Sequence, residues 1–424
     1  MTRGVRPRVL IVTDRYPVDP DRSPTAWMRA HCAALGTVAD VEVVSLLRLL
    51  PRMKNLLRGG HERAWLRRRA NASPIEHPFA HVVVHHRRCV TVPDRLGWQV
   101  NPLLLRMQQR RWLLRRIETF RPDILLVHYV HASATLARSV ARHCHIPLWI
   151  DENETLAPMQ EEGQQSLQDW IVGQLAAADV VLAQCGTQEG ALRALLPDGV
   201  IHRIPLGIPD DAPAAVSVPS ATSAAPPPFE LLCVSRLDQD AKNIDPLLRA
   251  IALLRTRECG RVGDGGRVGD GGRVRLTIAG DGYQRRGFER LARKLRIDTQ
   301  VRFPGWLTLE DLRELRTRVH AAVQPSEHES FGLVALEAVA AGLPLVAGAR
   351  AGVVPDLVAA GAAIIPISTR TPGAIADAIE ELQARYSEMQ RQAIEARGRV
   401  LRCYSWQEHA RRYAALLRAL PPRP

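Results

Sequence analysis

The sequence predicts an α/β protein built from two doubly wound, parallel-sheet domains. Two observations carry that expectation. Short apolar runs alternate with stretches of helical spacing, and a single Pro-, Ala- and Ser-rich interruption is followed by a restart of the same alternation. Size agrees, since 424 residues exceed what one ordinary core accommodates.

The first strand is RVLIVTD (Arg8–Asp14), apolar along its length and polar only at its end, as a parallel strand buried on both faces reads. A helix follows near Thr25–Leu35, then strand Val41–Leu46. Residues Leu103–Phe120 place Leu104, Met107, Leu114 and Ile117 at helical spacing. Pro122 restarts the chain into the strand DILLVHY, and helix Ala134–Arg142, strand PLWI, helix Ser166–Ala177 and strands DVVLAQ and IHRIPLG continue the rhythm. Strands joined through helices require right-handed crossovers and hence a parallel sheet. These elements define a first domain over residues 1–208. Residues 209–228 (PDDAPAAVSVPSATSAAPPP, up to Pro228) lack apolar periodicity and read as a semi-rigid linker. From Phe229 to about residue 400 the alternation resumes as a second domain. Within it RVGDGG occurs twice in tandem, after a helix and before a strand, the wrong order for a phosphate-binding loop. It reads as a surface loop.

Charge and cysteine usage narrow the classes. Lys and Arg number 57 against 44 Asp and Glu, a formal charge of +13, and only Lys54, Lys242 and Lys294 are lysine. Such a balance fits a polyanionic partner or an arginine-rich composition. Nucleic acid is not expected, because neither a recognition-helix motif nor an aromatic strand platform is present. Arg52–Arg69 and Arg106–Arg116 interleave Leu, Met and Trp with arginine. That pattern serves a helix lying on an anionic membrane or a plain solvated face. Seven scattered cysteines without a C-x-x-C pair argue against a disulfide framework and for a reducing, cytoplasmic setting. The apolar run at the start is too short for a signal peptide, and no window is long enough to span a membrane.

Three stretches carry chemistry. In PSEHESFGLVALEAVAAGLP, Glu329 and Glu337 lie eight positions apart, one before a helix and one on its second turn. Phe331, Gly332, Leu333 and Val334 between them would form the helix N-terminus, where unpaired amides and the helix dipole suit an anion such as a diphosphate. A helix with one capping and one exposed acid has the same spacing. In VSRLDQDAKN, Arg236 follows a strand and Lys242 stands at the mouth of the next helix, two cations suited to a phosphate linkage or to ordinary surface duty. Gly280, Asp281 and Gly282 turn sharply from a strand into a helix.

In this order and spacing, the stretches VSRLDQDAKN, LTIAGDGYQRRGFERLARKLRIDTQVRFPGW, PSEHESFGLVALEAVAAGLPLVAG and AGVVPDLVAAGAAIIPI resemble the C-terminal domain of family-4 retaining glycosyltransferases. The resemblance is strongest from Phe229 to Ile367 and continues more weakly over Arg8–Gly207. It implies the GT-B fold, two Rossmann-like domains facing across a cleft. It also implies that residues 401–424 form a closing helix crossing back to the first domain. It implies a glycosyltransferase that moves a sugar from a nucleotide-sugar donor to a hydroxyl of a glycan or lipid-linked acceptor. The sugar nucleotide is then a co-substrate and no cofactor is needed. The competing readings are a sugar-nucleotide epimerase and a non-catalytic scaffold in a polysaccharide assembly complex.

Carried onto this chain, the resemblance has Arg236 and Lys242 grip the diphosphate and has Glu337 hold the ribose. Glu329 would contact the sugar, the amides of Gly332, Leu333 and Val334 beside Phe331 would meet the phosphates, and Gly280, Asp281 and Gly282 would line the donor. Two cations and a helix N-terminus offset the charge that a metal ion would otherwise neutralise, so metal independence is expected. On the acceptor side, Arg29 matches a basic residue of one branch of the family, and His128 and His131 end a strand at the cleft. Asp151 and Glu154 belong to an acidic cluster that would activate or bind the acceptor, or cap the next helix.

Overall fold

The computed structural model describes residues 6–19, 23, 25–49, 69, 71–92, 94–152, 165–209, 228–238, 240–261, 273–368 and 371–420. Residues 210–227 of the linker, the RVGDGG repeat beyond Arg261, Glu154 and all but Arg69 of the Arg52–Arg69 segment lie outside the described residues. The chain divides into two compact units: Met1–Gln184, Gln188–Gly207 and Trp406–Pro424 form the first, and Cys185–Thr187 with Ile208–Ser405 the second.

Among the described residues the first unit has eight strands: β1 (Arg8–Thr13), β2 (Asp40–Arg48), β3 (Ile75–Phe79), β4 (Val82–Cys89), β5 (Ile124–His128), β6 (Leu148–Asp151), β7 (Val180–Ala183) and β8 (Ile201–Arg203). Their order is β3-β4-β2-β1-β5-β6-β7-β8. The chain therefore winds outward from β1 to one side and returns to build the other, which puts the switch point between β1 and β5. Helices α1 (Trp27–Val38), α2 (Asp94–Phe120), α3 (Ala132–Cys144), α4 (Gln165–Leu175) and α5 (Gly186–Leu195) connect the strands. One face of the sheet, with Val9, Ile11, Val41 and Val43, packs with Met28, Cys32 and Leu35 of α1. The other, with Leu10, Val12, Val44 and Leu46, packs with Leu105 and Leu113 of α2 and Leu136 and Val140 of α3.

Two expectations are corrected here. The sheet is not wholly parallel, because β3 runs antiparallel to β4 at its edge. Neither strand stands out in the sequence: β3 alternates exposed and half-buried residues, and β4 ends in HHRRC. In addition, α2 starts at Asp94 rather than Leu103 and continues through Pro102.

Among its described residues the second unit has six strands, all parallel, in the order β11-β10-β9-β12-β13-β14. They are β9 (Phe229–Val234), β10 (Val274–Ala279), β11 (Val301–Gly305), β12 (Ala321–Gln324), β13 (Leu345–Gly348) and β14 (Ile364–Ile367). Around them lie α6 (Ile244–Arg261), α7 (Arg285–Lys294), α8 (Leu309–Arg316), α9 (Leu333–Ala340), α10 (Val354–Ala359), α11 (Pro372–Ala384) and α12 (Tyr386–Cys403). The switch point falls between β9 and β12. Helix α13 (Trp406–Arg418) belongs to the first unit, where Tyr413 and Leu417 enter the core shared with α1. Among the described residues no helix is long and apolar enough to cross a membrane.

Candidate functional site

In the second unit the loops after β9, β10 and β12 are held together by backbone. Ser235 N donates to Ala279 O at 2.9 Å and Leu237 N to Asp281 O at 3.0 Å. The fit leaves no room for side chains. A Cβ on Gly280, whose φ is +141°, would lie 1.9 Å from Ser235 O, and one on Gly282 would lie 2.3 Å from Leu237 C. Gly280 and Gly282 thus shape the loops on which Arg236 and Lys242 sit, and Asp281 supplies a carbonyl to the same contact.

Across the switch point, Asn243 Nδ2 donates to Pro325 O at 2.8 Å and Glu327 N to Ala241 O at 2.9 Å. These bonds bring the β9 and β12 loops together, and Lys242 Nζ reaches Glu329 Oε1 at 2.7 Å. Both side chains are mostly buried, 13% and 16% exposed, so the pair is screened less than a surface pair. Gln324 Nε2 also approaches Glu329 Oε1, at 3.4 Å. Cys233 on β9 is no rival nucleophile, because burial pushes its thiol up to about 12. Arg236 is more exposed and lies 3.6 Å from Asp238.

Helix α9 starts on Gly332, left-handed at φ +88°. Ala335 N makes the first bond back to Gly332 O. The preceding amides of Leu333 and Val334 therefore stand at the open end of the helix, as an anion site requires. Phe331 is buried and anchors the turn, its carbonyl accepting from Val353 N at 2.7 Å. Glu337 lies one turn into α9, and its Oε2 accepts from the buried Arg316 of α8. Arg316 is a partner that no motif in the sequence announced.

In the first unit the strand ends are charged. Asp14 follows β1 and receives Arg48 Nη2 at 2.8 Å and His131 Nδ1 at 3.1 Å. Burial works to raise its pKa, but His131, Arg48 and Arg15 together outweigh that and hold the carboxyl well below its usual range. His131 occupies the N-cap position of α3 at the switch point without a side-chain capping bond, and its ring stacks on Tyr129, 5.6 Å between centroids. Arg29 donates to Glu76 Oε1 at 2.6 Å and lies over the Phe79 ring.

His128 and Asp151 lie in a buried polar cluster at the ends of β5 and β6. His128 is fully buried, and its Nε2 lies 3.1 Å from His31 Nε2. His31 Nδ1 lies 2.8 Å from His409 Nε2, and His409 Nδ1 donates to Pro205 O at 2.6 Å. Asp151, 2% exposed, accepts from Tyr413 Oη at 3.2 Å and Gln184 Nε2 at 3.3 Å, and faces His128 Nδ1 at 3.4 Å. Both residues end strands that α13 covers, so His128 and Asp151 point into the core of the first unit. Spacing could not show this, because His31 and His409 are 378 positions apart. Among the described residues no group of three or more His, Cys, Asp or Glu is arranged to hold a metal ion.

Comparison with known proteins adds a family match over part of the chain. Residues 220–399 match the glycosyl transferases group 1. A glycogen synthase of Mycobacterium tuberculosis is 36% identical over 180 residues, 42% of this chain and 40% of the relative. The match thus spans about two fifths of that relative's length. Among solved structures, a sucrose-phosphate synthase from Thermosynechococcus elongatus is similar with a TM-score of 0.74 at 18% identity, covering 98% of this chain and 99% of the other. Anabaena HepE, solved in complex with UDP-glucose, is similar at 0.65 and 15% identity, covering 97% and 100%. At these identities the structures speak for the fold alone. Residues 220–399 thus match the glycosyl transferases group 1, and the two α/β units have the GT-B fold.

Proposed function

We propose that the protein is a retaining, metal-independent glycosyltransferase. It moves a hexose from a nucleotide sugar, with UDP-glucose the first donor to test, to a hydroxyl of a glycan or lipid-linked acceptor. The second unit binds the donor and the first unit the acceptor. The observation that carries this reading is the meeting of Lys242 and Glu329 at the β9/β12 switch point, beside the open end of α9. A cation and two unpaired amides there can take up charge as the diphosphate leaves, while Glu329 orients the sugar beside the reacting carbon. Arg236 extends the cationic side. Glu337 Oε2 is engaged by Arg316, so Oε1 is the oxygen that a ribose hydroxyl would meet.

Peripheral contact with an anionic membrane is part of the proposal and rests on α2. Leu103 and Met107 are 60% and 74% exposed there, with Arg106, Arg111 and Arg115 exposed on the same helix.

The test is a thermal-shift and transfer assay with UDP-, GDP- and ADP-sugars, run with and without chelator. One donor should stabilise the fold, since only the folded chain binds it, and activity should survive chelation. No stabilising donor would overturn the reading, and activity lost on chelation would overturn its metal-free form. Glu337→Gln keeps an acceptor for Arg316 but removes the charge. It is expected to weaken nucleotide binding by about 1.5–3 kcal/mol, roughly ten- to a hundredfold. Unchanged affinity in calorimetry would remove Glu337 from the ribose site.

A further inference from the structure

Strand β12 lies between β9 and β13 in the second sheet, and all four of its residues are buried. Ala321 and Val323 enter the apolar core on one side of the sheet. Ala322 and Gln324 alternate to the other side, where Val334 and Ala338 of α9 face them across a small cavity. Gln324 is 4% exposed there, and Arg316, from the last turn of α8, is 7% exposed. Polar groups this deep need partners.

Their partners are the two carboxylates around the start of α9. Arg316 Nη2 donates to Glu337 Oε2. Gln324 Nε2 donates to Ser326 Oγ at 3.0 Å and approaches Glu329 Oε1 at 3.4 Å. The carboxylate fixes the sense of the amide, because an amide oxygen turned toward Glu329 would be repelled. Gln324 Oε1 is thereby the atom left over, and among the described residues it has no hydrogen-bond partner. The cavity measures about 10 Å³, and both Gln324 and Arg316 line it. That is room for one water molecule, which could donate to Gln324 Oε1 and accept from one of the five N–H groups of the guanidinium.

We propose that Arg316 and Gln324 are positioning residues for the donor. They join the two carboxylates beneath α9 into one network that runs from Glu329 through Gln324, a water molecule and Arg316 to Glu337. The network fixes the carboxylate that meets the sugar relative to the one that meets the ribose, so both ends of the donor are held in register. This rests on the reading that the second unit binds the nucleotide sugar.

The test is calorimetry of the full chain with UDP, GDP and ADP, which carry no sugar. It compares wild type, Gln324→Leu, Arg316→Lys and the double variant. Leucine fills much of the space of Gln324 without its amide, and Gln324→Met serves the same comparison should Gln324→Leu fail to fold. Lysine keeps a donor for Glu337 but loses the planar fork that can also serve the cavity. Gln324 lies by the sugar's carboxylate, yet Gln324→Leu should weaken the nucleotide that wild type binds best by about three- to tenfold, through Glu337. In the Arg316→Lys background, where the link is already cut, the same change should cost less than about twofold. Unchanged nucleotide affinity in Gln324→Leu, or an equal loss in both backgrounds, would overturn the network while leaving the donor reading in place. No binding of any of the three nucleotides to wild type would overturn the donor reading, and the network with it.

Discussion

Lys242→Met is expected to lower sugar transfer by about 10²–10³-fold in kcat while changing nucleotide affinity by less than tenfold. Methionine keeps the stem of the side chain and removes only the ammonium. That ammonium lies 2.7 Å from Glu329, mostly buried, at the end of the strand that starts the second unit's sheet. A positive charge there is worth more as the leaving diphosphate gains charge than in the ground state, so its loss falls on turnover rather than on binding. The chain uses arginine almost everywhere and has just three lysines. A compact point charge at this position matches one phosphate oxygen and one carboxylate, where a planar guanidinium would impose its fork. Initial rates over a range of donor concentration separate the two effects. A variant with kcat within threefold of wild type would remove Lys242 from the chemistry.

Acid should unfold the first unit well before it protonates ordinary carboxylates. His31, His128 and His409 are almost wholly buried, and burial holds each below its usual value, His128 at about 3 and His409 at about 4. Unfolded, each would titrate near about 6.5. The sign follows: the native rings are neutral and the unfolded ones take up protons as pH falls. Stability is thus full above about pH 7 and is lost as pH drops toward the native values. Each proton changes the slope by about 1.4 kcal/mol per pH unit, so three approach about 4 kcal/mol per unit near pH 5. His86, in the same unit and also lowered by burial, adds to it. Urea unfolding between pH 8 and 5 measures the slope directly. A slope of less than one proton would show that the rings are charged in the native state.

The strand–helix alternation was legible because parallel strands covered on both faces must be apolar throughout, and RVLIVT, ILLVH and LWI are. The loops after β10 and β12 were legible for a different reason: glycines at 280 and 332 answer local backbone demands that any sequence there must meet. What escaped depends on distant partners. Strand β4 hides because its last residues trade apolarity for HHRRC just where the sheet turns polar. Nothing in PLWIDENET shows that Tyr413, 262 positions later, closes over Asp151. Arg316 stays hidden for the same reason, since its partner Glu337 lies on another helix.

The placement of α13 bears on how the protein is made. Val9 and Tyr413 belong to one core, yet the whole second unit is synthesised between them. As the nascent chain leaves the ribosome, the second unit has all its strands by Ile367 and its last helix by Cys403. The first unit, begun much earlier, still waits for His409 and Tyr413 to cover His31, His128 and Asp151. The part translated first is therefore the part finished last, and during that interval its histidine layer faces water.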